Sequence, residues 1–166
     1  MDGKILFSET QKFNQWWLWL ILLSYITMLS VVLIVIIRQK HLSNLIRKTV
    51  LVFTSLLILI PTIIFLSFRL ETEIRRGGVY VKFFPFHTTF KEYKWKNVSK
   101  SYVRQYNPID EYGGWGFREG ASGKAFNVSG YQGLQLEFYD HDKMLIGTNK
   151  PKELTETLMK IAQLKQ

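Results

Sequence analysis

Two uncharged stretches dominate the pattern of apolar and polar positions along the chain. The first covers residues 16–37, where Ser24, Tyr25, Thr27 and Ser30 are the polar side chains apart from the tryptophan indoles. The second covers residues 49–68 and contains Pro61. Neither shows the polar stripe, repeating near 3.6 residues, that a helix of a soluble core carries. As a helix rising about 1.5 Å per residue, the first stretch would be roughly 33 Å long, enough for a hydrocarbon layer of about 30 Å. Backbone groups in lipid must pair internally, so both stretches are expected to be transmembrane helices. The first is too long for a signal-peptide core, and no small-residue cleavage pattern follows it. Trp16, Trp17 and Trp19 stand where an interfacial aromatic belt would lie. Pro61 predicts a local kink, tolerable because a neighbouring helix can bond the carbonyl that proline leaves free.

The bridge between them, residues 38–48, holds Arg38, Lys40, His41, Arg47 and Lys48 and no acid. So short a connection makes the helices antiparallel neighbours and puts both chain termini on one side. The bridge offers four Lys/Arg, against six on the other side at Lys4, Lys12, Arg69, Arg75, Arg76 and Lys82, so the positive-inside rule does not choose. The lack of a signal sequence favours cytoplasmic termini. Residues 1–15 are mixed in character and are expected to be flexible or to lie at the interface.

After residue 68 the pattern changes to that of a soluble β domain, residues 69–166. Leu70, Thr72 and Ile74 alternate with Glu71, Glu73 and Arg75, a period of two that predicts a strand. Gly77-Gly78 supplies a hairpin turn and residues 79–84 a returning strand, which Pro85 ends or places at an edge. Further strands are expected at residues 86–93, 100–106, 124–128, 134–139 and 144–148, separated by turn signals such as Asn107-Pro108 and Gly113-Gly114. Leu154, Leu158, Ile161 and Ala162 recur at helical spacing behind Pro151 and predict a closing amphipathic helix. The expected fold class is therefore α+β: a transmembrane hairpin followed by six to seven antiparallel strands and a capping helix. A domain with its own alternating core is expected to fold in isolation from about Leu70.

Charge and composition refine this picture. The 166-residue chain has a formal net charge of +9 and no cysteine. Disulfides, zinc–thiolate sites and cysteine catalysis are thereby excluded. From residue 69 onward there are 16 Lys/Arg against 11 Asp/Glu. On a membrane protein such an excess points to anionic lipid headgroups. No nucleic-acid-binding motif accompanies it, so nucleic acid is not an expected partner.

Some of these residues carry a resemblance. The run Tyr106-Asn107-Pro108-Ile109-Asp110-Glu111-Tyr112-Gly113-Gly114-Trp115-Gly116-Phe117-Arg118 resembles the signature of bacterial pleckstrin-homology-like (PH-like) domains. The later runs Ala125-Phe126-Asn127-Val128-Ser129-Gly130, Gly133-Leu134-Gln135-Leu136, Leu145-Ile146-Gly147-Thr148 and Lys150-Pro151-Lys152-Glu153-Leu154 follow in the family's order. The resemblance covers roughly residues 70–164. It implies a curved β-barrel capped by the final helix, in a bacterial inner-membrane protein without enzymatic activity. Phosphoinositide-binding members of the superfamily use a longer basic loop than Arg75-Arg76-Gly77-Gly78, so that specificity is not carried over.

The candidate functional residues are few. Tyr112, Trp115 and Arg118 form an interaction candidate, in which the indole is an anchor and Arg118 an anion contact; the plainer reading has Trp115 plugging the barrel and Arg118 paired with Glu111 or Glu119. Arg75, Arg76 and Lys82 form a headgroup-contact candidate, placed near the bilayer by the short connection to the second helix. In residues 91–96, Tyr93 and Trp95 could face lipid with lysines beside them, or could face a core. Asp140-His141-Asp142 is a poor metal set because adjacent side chains diverge. No catalytic grouping or cofactor motif is present. The sequence therefore suggests a membrane-anchored, non-catalytic binding or scaffold module whose partner is a lipid headgroup, a protein or a second copy. Alternatively, Ser24, Thr27, Ser30, Ser55 and Thr62 could pack the hairpin into a larger assembly.

Overall fold

In a computed structural model, which describes residues 4–13, 15–39, 42–120 and 122–164, the chain forms two compact units. One spans residues 14–67 and holds two helices; the other joins the residues up to Phe13 with those from Phe68 onward.

The helical unit consists of α1 (Trp16–Arg38) and α2 (Asn44–Ser67). Both are long and apolar enough to cross a membrane, and neither contains a buried residue. Each extends past its uncharged stretch. Arg38 closes α1, and α2 begins behind Ser43, whose hydroxyl accepts from the Ile46 amide at 3.3 Å. Lys40 and His41 lie outside the described residues. The Trp19 and Phe65 rings meet edge to face at 5.6 Å, Tyr25 reaches Leu57, and Arg47 reaches Gln39, so the two helices run antiparallel. Pro61 sits inside α2. Having no N–H, it frees the carbonyl four residues back, at Leu57. The Tyr25 hydroxyl of α1 donates to that carbonyl at 2.6 Å. Ser24, Thr27, Ser30 and Thr62 donate to carbonyls of their own helices.

The β unit holds two sheets. Sheet 1 is antiparallel, in the order β1 (Ile5–Lys12), β2 (Arg69–Arg75), β3 (Gly78–Phe84), β4 (Lys91–Lys94). Sheet 2 has the order β5 (Val98–Gln105), β8 (Gln132–Phe138), β9 (Lys143–Gly147), β7 (Gly123–Asn127), β6 (Gly116–Gly120). It is antiparallel except for the β7–β9 pair. Residues 1–15, expected to be flexible or interface-bound, contribute β1. That strand turns Phe7, Glu9 and Gln11 inward, and both Glu9 and Gln11 are bonded across to the second sheet. Lys12 stands opposite Arg69, and Arg69 opposite Phe84. The strand expected over residues 86–93 is shorter, because residues 85–90 form a turn and bend before β4.

The expected barrel does not close: neither sheet's hydrogen bonds come round upon themselves. Between β4 and β5 the chain runs through a 3₁₀ turn, Trp95–Asn97, in place of a ladder. At the other seam β1 meets sheet 2 through side chains. Gln11 Nε2 donates to the Gly147 carbonyl at 2.6 Å; the Glu9 carboxylate accepts from the Thr148 hydroxyl at 2.6 Å and from the Asn149 amide at 2.8 Å. The core between the sheets is built on Phe7, Leu70, Ile74, Phe83, Phe126, Leu134, Leu136 and Ile146. Helix α4 (Pro151–Lys160) adds Leu154 and Leu158 to it. A hydrogen bond from the Ser101 hydroxyl to the Gln163 carbonyl ties the chain beyond α4 to β5.

Candidate functional site

The motif run that resembles PH-like domains folds into a single helical turn, α3 (Pro108–Tyr112), with defined ends. Asn107 caps its start, its side-chain oxygen accepting from Ile109 at 3.0 Å and Asp110 at 3.4 Å, and Pro108 takes the first helical position. At the far end Gly113 adopts φ 70°, and its amide and that of Gly114 donate to Ile109 and Pro108 at 2.8 Å each. This is the αL stop, in which the amide of a left-handed residue bonds the carbonyl four residues back and which favours glycine. Much of the run's composition is thus explained by the two ends of this turn.

Tyr112 points into a small second core on the outer face of sheet 2, with Tyr106, Ala125 and Leu145. Its ring meets that of Tyr106 edge to face at 6.1 Å. Burial pushes the Tyr106 hydroxyl up to about 12 and raises that of Tyr112. Trp115 lies elsewhere, half-buried on the connection to β6, with its ring edge-on to Tyr131 at 6.2 Å. It is outside the core between the sheets and so does not act as a plug. Arg118 is exposed and donates from Nε to the Trp115 carbonyl at 3.1 Å. The structure thus brings Arg118 onto the Trp115 carbonyl, while the Tyr112 ring packs with Tyr106.

The partner of Glu111 is Arg104 on β5, at 2.6 and 3.1 Å in a bidentate pair. Glu119 lies 3.8 Å from Lys124. The Arg104 guanidinium also donates to Gln135 Oε1 at 3.0 Å. Its hydrogen bonds hold the Glu111 carboxyl below the usual carboxylate range, and the Glu111 side chain in turn raises Arg104. This pair forms one wall of an open groove of about 590 Å³ on the outer face of sheet 2. Tyr102, Glu137, His141, Asp142 and Lys143 line the rest. The Tyr102 hydroxyl donates to Glu137 at 3.0 Å, and burial followed by that carboxylate raises its pKa. Both signs of charge face the same space, and the cation Arg104 is already fixed in place. Such a surface suits a polar ligand or peptide segment bearing both charges.

Arg75, Arg76 and Lys82 do not form one patch. Arg75 donates to Glu73 at 2.6 and 3.0 Å and lies 4.6 Å over the Tyr80 ring. Lys82 contacts Glu71 at 2.8 Å and lies over Phe90. Burial alone would raise the Glu71 carboxyl, yet Lys82 and Arg69 together hold it below its ordinary value. Arg76 is exposed at the β2–β3 turn. That turn is the end of β2 away from Arg69, about 20 Å along a strand at roughly 3.3 Å per residue. Trp95 is buried and donates its indole N–H to the Arg75 carbonyl at 2.9 Å, and Tyr93 packs on the core. The aromatic face of residues 91–96 therefore looks inward.

His141 has φ 71° in the β8–β9 turn, where the Asp142 amide donates to Asp140 at 3.2 Å. Among the described residues, no group of three His, Asp or Glu side chains is placed to hold a metal ion. His87 accepts the Phe83 amide on Nδ1 at 3.4 Å, and burial and then Lys91 lower its pKa. Comparison of the chain with protein-family models, with characterised proteins and with solved structures found no match.

Proposed function

We propose that this chain is a two-pass protein of a bacterial inner membrane, with both termini cytoplasmic, whose PH-like β unit is a non-catalytic binding or scaffold module held at the membrane surface. The pairing of β1 with β2 carries this reading. The strands on either side of the helical hairpin are hydrogen-bonded neighbours, so chain from before α1 and after α2 must meet in one water-soluble unit. Two crossings satisfy that requirement, and one does not. The strand order followed by a helix packed on the core supports the PH-like assignment, and the motif residues supply the turn that walls the groove. The groove, with its fixed Arg104–Glu111 pair, is the surface through which the module would take a protein segment or polar ligand. The accessory-subunit reading ranks second, because the hydroxyls of Ser24, Thr27, Ser30 and Thr62 are engaged within their own helices.

A photo-crosslinking residue in native membranes tests the binding role. Placed at Lys143, in the groove, it is expected to capture a discrete partner that the same group at Arg76 does not. Identical profiles from the two positions would remove the groove from the account.

A further inference from the structure

We propose that the turn after β3, centred on Phe86, is a third membrane contact, an aromatic wedge seated among the lipid headgroups. The inference rests on the two-pass reading. Register brings three chain ends to one edge of sheet 1: Lys12 faces Arg69, and Arg69 faces Phe84. Phe68 is covalently next to Ser67, the last residue of α2. If α2 spans the bilayer, Phe68 is therefore at the interface by connectivity. The Phe86 ring lies 5.8 Å from that of Phe68 and stacks on Phe83 at 5.7 Å, while Phe13 meets Phe68 edge-on at 5.8 Å.

Phe86 is nevertheless 64% exposed, although its neighbour Phe83 is buried to 1%. Single exposed apolar residues are ordinary; what sets Phe86 apart is that its exposed ring packs on Phe68, the residue that follows α2. The cations around it fit the same occupant. Lys12 and Lys91 are exposed, and Arg69 lies 5.0 Å over the Phe84 ring. The nearby carboxylates are already engaged, Glu71 by Arg69 and Lys82 and Glu92 by the Tyr80 hydroxyl. Phenylalanine rings with lysines beside them match the membrane boundary, where apolar side chains enter between headgroups and acyl chains and amines meet phosphates. A soluble protein partner would not be anchored to this edge by Phe68, whereas the bilayer is.

Absence of cysteine makes single spin labels clean probes of depth. The full-length protein in nanodiscs of phosphatidylcholine and phosphatidylglycerol would carry one label through Phe86→Cys, Thr88→Cys, Arg76→Cys or Met28→Cys. Thr88→Cys keeps the Phe86 ring and covers the case in which Phe86→Cys disturbs the turn. The expected result is a shift of the oxygen-to-nickel accessibility ratio at 86 and 88 away from that at 76 and towards that at 28. A buried label at 28 with 86 and 88 indistinguishable from 76 overturns the wedge and leaves the spans intact. A label at 28 as open to nickel as that at 76 overturns the two-pass reading itself, and the wedge with it.

Discussion

A fragment starting at Leu70 should fail to fold, and restoring ten residues from the other side of the helical hairpin should rescue it. Strand β1 supplies Phe7, 2% exposed, to the core between the sheets. Truncating such a residue to alanine costs about 3–5 kcal/mol. It also supplies the Glu9 carboxylate to the Thr148 hydroxyl and Asn149 amide at the start of the turn into α4. Leaving the buried Thr148 hydroxyl unpaired costs a further ~1–3 kcal/mol. Either loss is a large fraction of the roughly 5–15 kcal/mol that holds a domain together. Without β1, moreover, β2 becomes an open edge with Leu70 and Ile74 uncovered. The rescue follows from register. Lys12 and Arg69 are paired, so an Asn-Gly turn between Phe13 and Phe68 can replace the whole hairpin with a two-residue loop. Urea denaturation followed by near-ultraviolet circular dichroism should show a cooperative transition for the joined version and none for the Leu70 fragment. In the joined version Phe7→Ala should lower stability by about 3–5 kcal/mol. Cooperative unfolding of the Leu70 fragment with the same midpoint would refute the reasoning.

Two other outcomes follow from particular contacts. Tyr25→Phe should weaken the hairpin by about 0.6 kcal/mol, up to roughly 1.7, but not in a Pro61→Ala background, where an alanine amide at that position bonds the Leu57 carbonyl itself; a double-mutant cycle in bicelles that finds no coupling would contradict this. The Glu111 carboxyl is held below its unfolded value by Arg104, so the stability it adds is present above the unfolded pKa of about 4.3 and is lost as pH falls through the folded value. Acid should therefore destabilise the protein more steeply than it destabilises Glu111→Gln, and parallel pH profiles would speak against the pair's role.

The helical hairpin was legible because its signal is composition: long uncharged stretches have few other uses. Strands β2 and β3 were legible because Leu70, Ile74, Val79, Val81 and Phe83 alternate with polar residues. Strand β1 has the same alternation, but two of its three buried positions are Glu9 and Gln11, whose inward placement depends on partners more than 130 residues away. Strand β6 is an exposed edge between glycines and has no repeating apolar face to predict it. The Asn107-Pro108 signal predicts a turn, and in the structure it starts a helical turn that Gly113 stops. The groove could not be seen in the sequence, since its wall joins Arg104 on β5 to Glu111 on α3 and its floor comes from other strands. No spacing rule links those residues; only the sheet order does.

Sidedness of labelling tests the central claim most directly. With no native cysteine, Ser43→Cys in the bridge and Arg76→Cys in the β2–β3 turn can each be exposed to a membrane-impermeant maleimide in right-side-out and inverted vesicles. The account predicts opposite faces: position 43 reacts from the periplasmic side and position 76 from the cytoplasmic side. Reaction of both positions from one face would contradict it.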